Sequence, residues 1–128
     1  MVLDFLVVLM TKNLSKQVCF YKDMLGLELI FDNRDAIGLG KDKRIFIVLR
    51  EDKSENSHHL SEHKGPQIMT FKCQGDVDSY IEKIRRSGFN VRDTLKLPEY
   101  NTHYLFIEDY DGNEICLDFK LTVNQGLL

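Results

Sequence analysis

No apolar run in these 128 residues approaches the roughly 20 that a membrane-spanning helix needs. Basic residues are also in short supply: 17 Lys and Arg against 20 Asp and Glu give a net charge of −3 and a pI near 5.8. That balance argues against an electrostatic surface for nucleic acid, which needs clustered Lys and Arg. Cysteine is limited to Cys19, Cys73 and Cys116, an odd number at irregular spacing with no C-x-x-C pair, which reads as reduced thiols rather than a disulfide framework. Met1 to Met10 is apolar but carries Asp4 and no basic start, so Val2 to Met10 reads as a strand rather than as a signal peptide. These absences lead to the expectation of a cytoplasmic protein with no membrane and no nucleic-acid partner. Hydrophobic content of 43% and charged content of 29% are ordinary for a globular domain.

What is present is a repeated pattern. Val2 to Met10 is followed by Asn13 as a helix N-cap, and Leu14, Val18, Tyr21 and Leu25 recur at helical spacing until Gly26 ends the helix. Leu27 to Phe31, Ala36 to Leu39 and Arg44 to Arg50 read as three strands separated by turns. Periodicity is then lost over 51–66, which reads as a linker. Gln67 to Cys73 restarts the pattern as a strand, with Asp76 as N-cap, Val77, Ile81 and Ile84 at helical spacing, and Gly88 closing the helix. Leu14, Val18 and Tyr21 stand 63 residues before Val77, Ile81 and Ile84 (77 − 14, 81 − 18, 84 − 21), so the chain reads as an internal duplication. Phe89 to Arg92, Thr102 to Glu108 and Glu114 to Phe119 complete the second set, with a loop expected over 93–101 and a polar tail after Phe119. The strongest local signal is Asp109-Tyr110-Asp111-Gly112-Asn113, a tight reversal between the last two strands.

Two segments carry a family resemblance. Phe106 to Ile115, FIEDYDGNEI, resembles the closing hairpin of the vicinal oxygen chelate superfamily (glyoxalase, bleomycin-resistance and extradiol dioxygenase proteins), with Tyr110 where that family commonly has proline in D-P-D-G-N. Phe20 to Leu29, FYKDMLGLEL, resembles the helix exit of the same family. The resemblance covers nearly the whole chain. It implies an α+β fold of two tandem βαβββ modules, about 1–50 and 67–122, forming one vicinal-oxygen-chelate domain whose curved, half-open mixed sheet makes a cup with the helices outside. It also implies a homodimer.

Where that family binds a divalent metal, the ligands are a His or Gln from the first strand of each module and often a Glu from the last strand. Matched through Phe20, Phe71 and the Asp109 turn, those positions fall on Leu6, Ile68 and Cys116, with Phe46 as the fourth equivalent. None is His, Gln, Asp or Glu, and a single thiol does not hold an oxygen-loving ion. A one-residue slip would bring in Gln67, and Asp4 and Asp118 lie two residues from Leu6 and Cys116. The expected cup is therefore metal-free, without a cofactor or catalytic residue, and lined by Leu6, Val8, Phe46, Val48, Ile68, Thr70, Tyr104, Phe106 and Cys116. Such a lining suits a small apolar or aromatic ligand, oriented by Tyr104 and Thr70 and stacked on Phe106 or Phe46. The same side chains would equally fill the concavity as core. Arg50, Lys72 and Glu108 are expected at the rim.

Other candidates are weaker. His58, His59 and His63 include an i, i+4 pair but lie in the unpatterned linker, and His103 should point away from Tyr104. Cys116 has no cation or helix N-terminus placed to activate it. Three functions remain open: a metal-independent binding protein of bleomycin-resistance type, a metal-dependent lyase, thiol transferase or dioxygenase of the same fold, and a non-catalytic subunit or regulatory partner.

Overall fold

The computed structural model describes residues 1–53 and 68–121. Contacts divide the chain into two compact units, Met1–Gly65 and Pro66–Leu128.

The first unit runs β1 (Val7–Thr11), α1 (Leu14–Cys19), a π-helical stretch (Phe20–Met24), β2 (Glu28–Asn33), β3 (Ala36–Lys41) and β4 (Arg44–Glu51). Its sheet has the order β1-β4-β3-β2, with β1 parallel to β4 and the other pairs antiparallel. The second unit repeats this with β5 (Met69–Cys73), α2 (Val77–Arg86), β6 (Val91–Leu97), β7 (Thr102–Glu108) and β8 (Glu114–Lys120) in the order β5-β8-β7-β6. A single 3₁₀ turn, Pro98–Tyr100, joins β6 to β7. Both units are βαβββ modules, so the tandem arrangement read from the sequence is the fold.

Each sheet buries one face under its helix. In the first unit Phe20, Tyr21 and Met24 meet Leu39, Ile47 and Leu49, all at most 6% exposed. In the second, Ile84 joins Leu105, Ile107, Ile115, Leu117 and Phe119, and the Tyr80 ring of α2 sits 5.5 Å from that of Phe119. Alternation along the strands then sends the intervening residues to the opposite, helix-free face.

The duplication extends to details. Asn13 accepts the Lys16 N–H at 3.0 Å and Asp76 accepts the Ser79 N–H at 3.4 Å, so both helices start on a side-chain cap. Gly26 and Gly88, which stop the helices, both have positive φ (74° and 84°). They lie 62 residues apart (88 − 26), whereas the caps lie 63 apart (76 − 13), so the first helix holds one residue more. The π turn absorbs it: the Leu25 N–H reaches back five residues to the Phe20 carbonyl at 3.2 Å. The β2 and β6 strands carry bulges at matching places, Leu29/Phe31 and Val91/Asp93.

Several expectations are corrected. The first strand starts at Val7 rather than Val2, because its partner β4 is engaged only from the pair Val7 and Ile47, leaving Met1, Val2, Leu3 and Phe5 more than three-quarters exposed. Val8, on this outer strand, is 51% exposed. Residues expected as loop from Asp93 to Leu97 belong to β6, an edge strand whose polar Arg92, Asp93, Thr94 and Lys96 are tolerated because solvent reaches both faces. The β3–β4 turn is shorter than expected, with Asp42 and Lys43 at positive φ and Gly40 so close to the Arg44 carbonyl that no Cβ fits. The linker does not begin at Glu51, which pairs with Thr11, and Asp52 is buried beside Lys12. Lys120 ends β8 rather than starting a tail. The remaining linker, with His58, His59, His63 and Gln67, lies outside the described residues, as does the tail beyond Leu121.

Candidate functional site

The nine residues expected to line a cup divide between the units. In the first, Val8 stands opposite Val48, which stands opposite Gly38, so the three share one row of the helix-free face. The Phe31 ring lies over Gly38 and fills the space a Cβ would take. Phe46 continues the face along β4, with the Arg44 guanidinium 5.9 Å from its ring centre. Leu6, 44% exposed, immediately precedes β1. The centre of this face is aliphatic and aromatic, with Arg44 and Arg50 at the two ends of β4.

In the second unit Thr70, Cys116 and Phe106 form one row across β5, β8 and β7. The next row is Lys72, Asp118 and Tyr104. The Tyr104 and Phe106 rings stand 6.4 Å apart, inclined at 41°, and Ile68, 41% exposed, precedes β5. Further along β7, Thr102 and Glu108 share the face. Glu108 and Glu114 are directly opposed and both pair with Arg92, which reaches Glu108 at 3.0 Å; without that cation two carboxylates in register would repel.

Burial pushes the Cys116 thiol above its ordinary range, and the Thr70 hydroxyl, which hydrogen-bonds it, offsets only part of the shift. Cys73 is pushed up to about 11, by burial first and then by Asp118 and Cys116. Neither is an activated nucleophile. His103, opposite Lys96 on one side and Phe119 on the other, is 9% exposed on the helix-covered face, and burial followed by the Lys96 charge lowers its pKa. It points away from Tyr104, as the alternation requires.

The donor set does not suit a divalent metal. Leu6, Phe46 and Ile68 carry no donor atom, Cys116 offers one protonated thiol, and no three His, Cys, Asp or Glu side chains converge among the described residues. Of the two acids that a shifted register would bring in, Asp4 is held by Arg44 at 3.2 Å. The other, Asp118, is more informative. Its Oδ1 is buried and has no hydrogen-bond partner, and the same is true of Oγ1 of Thr102. From the sequence Thr102 reads only as the start of a strand. Counting alternate residues from Tyr104 would have placed it on this face.

The family profile of the Glyoxalase/Bleomycin resistance protein/Dioxygenase superfamily matches residues 4–117, nearly the whole chain. The chain belongs to this superfamily. Among solved structures, the fosfomycin resistance protein FosX of Listeria monocytogenes is similar at 19% identity, a TM-score of 0.73 and 99% and 100% coverage of this chain and that one. FosX of Mesorhizobium loti follows at 13% identity and 0.70, with 100% of both chains covered. Lactoylglutathione lyase of Agrobacterium tumefaciens gives 16% identity and 0.62, with 91% and 92% covered. At these identities the likeness to other superfamily structures shows the fold alone. Comparison with functionally curated sequences finds no match. No helix among the described residues is long and apolar enough to cross a membrane.

Proposed function

We propose that this superfamily member binds a small apolar or aromatic molecule on its helix-free strand faces without a metal ion, and does so as a cytoplasmic homodimer. The observation that carries the reading is the row Thr70, Cys116 and Phe106 beside Tyr104. At the places where the family resemblance puts metal ligands, the chain has hydrocarbon side chains and a thiol held protonated by burial. What remains is aromatic surface with a few orienting polar groups, the composition of a ligand site rather than of an acid–base or covalent centre. Three free thiols fit a reducing compartment. The outer strands β1 and β5 each have an unpaired edge within their own unit, which suits association with a second copy.

The test is a melting-temperature screen with apolar and aromatic compounds on metal-stripped protein, with mass measured by light scattering. A ligand that binds only the folded state raises the melting temperature with its concentration. Stabilisation that persists in chelator supports the reading. Stabilisation that appears only when Mn, Fe(II), Ni or Zn is added favours a metal-dependent lyase, transferase or dioxygenase instead.

A further inference from the structure

We infer that the ligand of the second unit's helix-free face is an organic cation, an aromatic or aliphatic body bearing a protonated amine that docks between Asp118 and Tyr104. The inference rests on the reading that this face binds a small molecule, and it names the class.

Asp118 stands directly opposite Tyr104 and directly opposite Lys72. Its Oδ1 has lost solvent without gaining a donor. A buried carboxylate oxygen left unpaired is costly, and folded proteins rarely leave one so without a use for it. Lys72 is the nearest cation by register, yet its side chain is exposed and makes no ion pair with Asp118 among the described residues. Lys120 follows two residues along the strand at the exposed end of β8. Arg92 is engaged by Glu108 and Glu114. Cys116, on the other side of Asp118, is neutral. Asp118 Oδ1 therefore has no cation engaged with it among the described residues, although Lys72 stands opposite.

A second orphan lies beside it. Thr102 is diagonal to Asp118 across the β7–β8 pair, a relation that separates residues by roughly 7–8 Å, and its buried Oγ1 also lacks a partner. An ammonium group presents three donors, enough in number for both oxygens. The half-buried rings of Tyr104 and Phe106 complete the arrangement: their faces attract a cation electrostatically and cover the apolar body attached to it. A carboxylate and a hydroxyl beside two aromatic rings recognise an amine. An anionic ligand would meet Asp118 with repulsion, and a neutral hydroxyl would bring one donor and no charge, satisfying at most one of the two oxygens.

The experiment compares three naphthalene probes of one shape and different charge, 1-naphthylmethylamine, 1-naphthylmethanol and 1-naphthoate, by calorimetric titration at pH 7. The amine is expected to bind at least about tenfold more tightly than the alcohol, the effect of one charge-assisted hydrogen bond, and naphthoate most weakly. Asp118→Asn should bring the amine down to the affinity of the alcohol, and Thr102→Val should weaken it without erasing the preference. Equal affinities for amine and alcohol in the unaltered protein, or tighter binding of naphthoate, would overturn the inference and leave the binding reading standing. Failure of all three probes to bind would instead remove the binding reading itself. The comparison in the unaltered protein decides the matter even if Asp118→Asn does not fold.

Discussion

Replacing Asp109 with alanine should unfold the closing hairpin more than any other single change to an acidic residue in the described chain. Its carboxylate is buried and accepts the backbone N–H groups of Asp111 and Asn113, both at 2.9 Å, and the side-chain amide of Asn113 at 2.8 Å. Two backbone bonds of 3.1 Å, from the Asp109 N–H to the Asn113 carbonyl and from the Gly112 N–H to the Asp109 carbonyl, close the same turn. Gly112 holds a φ of 84° within it. A hydrogen bond to an ionised acceptor contributes about 1.5–3 kcal/mol, but the three share one carboxylate and the freed N–H groups lie near solvent, so about 3 kcal/mol in total is the reasonable figure. With a urea dependence of about 2 kcal/mol per molar, the unfolding midpoint should fall by about 1.5 M. Asp109→Asn keeps an acceptor oxygen but not the charge, and should fall by about half as much. Midpoints by circular dichroism measure this directly. A drop below about 0.3 M, or identical drops in the two variants, would refute the view that the carboxylate organises the turn.

Three further outcomes follow from the geometry. Phe106→Ala should lower stability by about 2 kcal/mol, the burial of part of one aromatic side chain, and should abolish binding of an apolar ligand; unchanged affinity would remove Phe106 from the site. Iodoacetamide at pH 8 should label exposed Cys19 first, half-buried Cys73, whose thiol burial pushes up, more slowly, and buried Cys116 last; early labelling of Cys116, read by mass spectrometry, would contradict its burial. His103 keeps a lowered pKa in the folded state, so as pH falls through about 6.5 the unfolded chain takes up a proton that the folded chain refuses, and stability falls. His103→Gln should flatten the difference between urea midpoints at pH 7.5 and 5.5, and an unchanged difference would show that His103 is not its source.

Periodicity made the fold legible because each helix buries one stripe and each sheet one face. Leu14, Val18 and Tyr21 against Val77, Ile81 and Ile84 located both helices, and the capping side chains of Asn13 and Asp76 located their starts. The edges were harder to see. Strand β6 has the polar composition of a loop because an edge strand exposed on both faces gains little from apolar residues. The apolar Met1 to Leu6 looks like strand, yet apolar character does not supply a pairing partner. The one-residue difference between the helices was hidden because an offset measured on their first turns does not register a π turn at the end. At the site, alternation placed Tyr104, Phe106 and Cys116 on one face, but only the structure shows that Asp118 and Thr102 beside them have buried oxygens without partners. Whether a polar side chain finds a partner depends on neighbours in three strands at once.

Metal independence of this superfamily member can be measured by elemental analysis of untagged protein together with melting curves in Zn, Ni, Mn and Fe(II). Well under one equivalent of any metal per chain and no rise in melting temperature are expected. One equivalent per chain, with a rise that chelator reverses, would contradict metal independence.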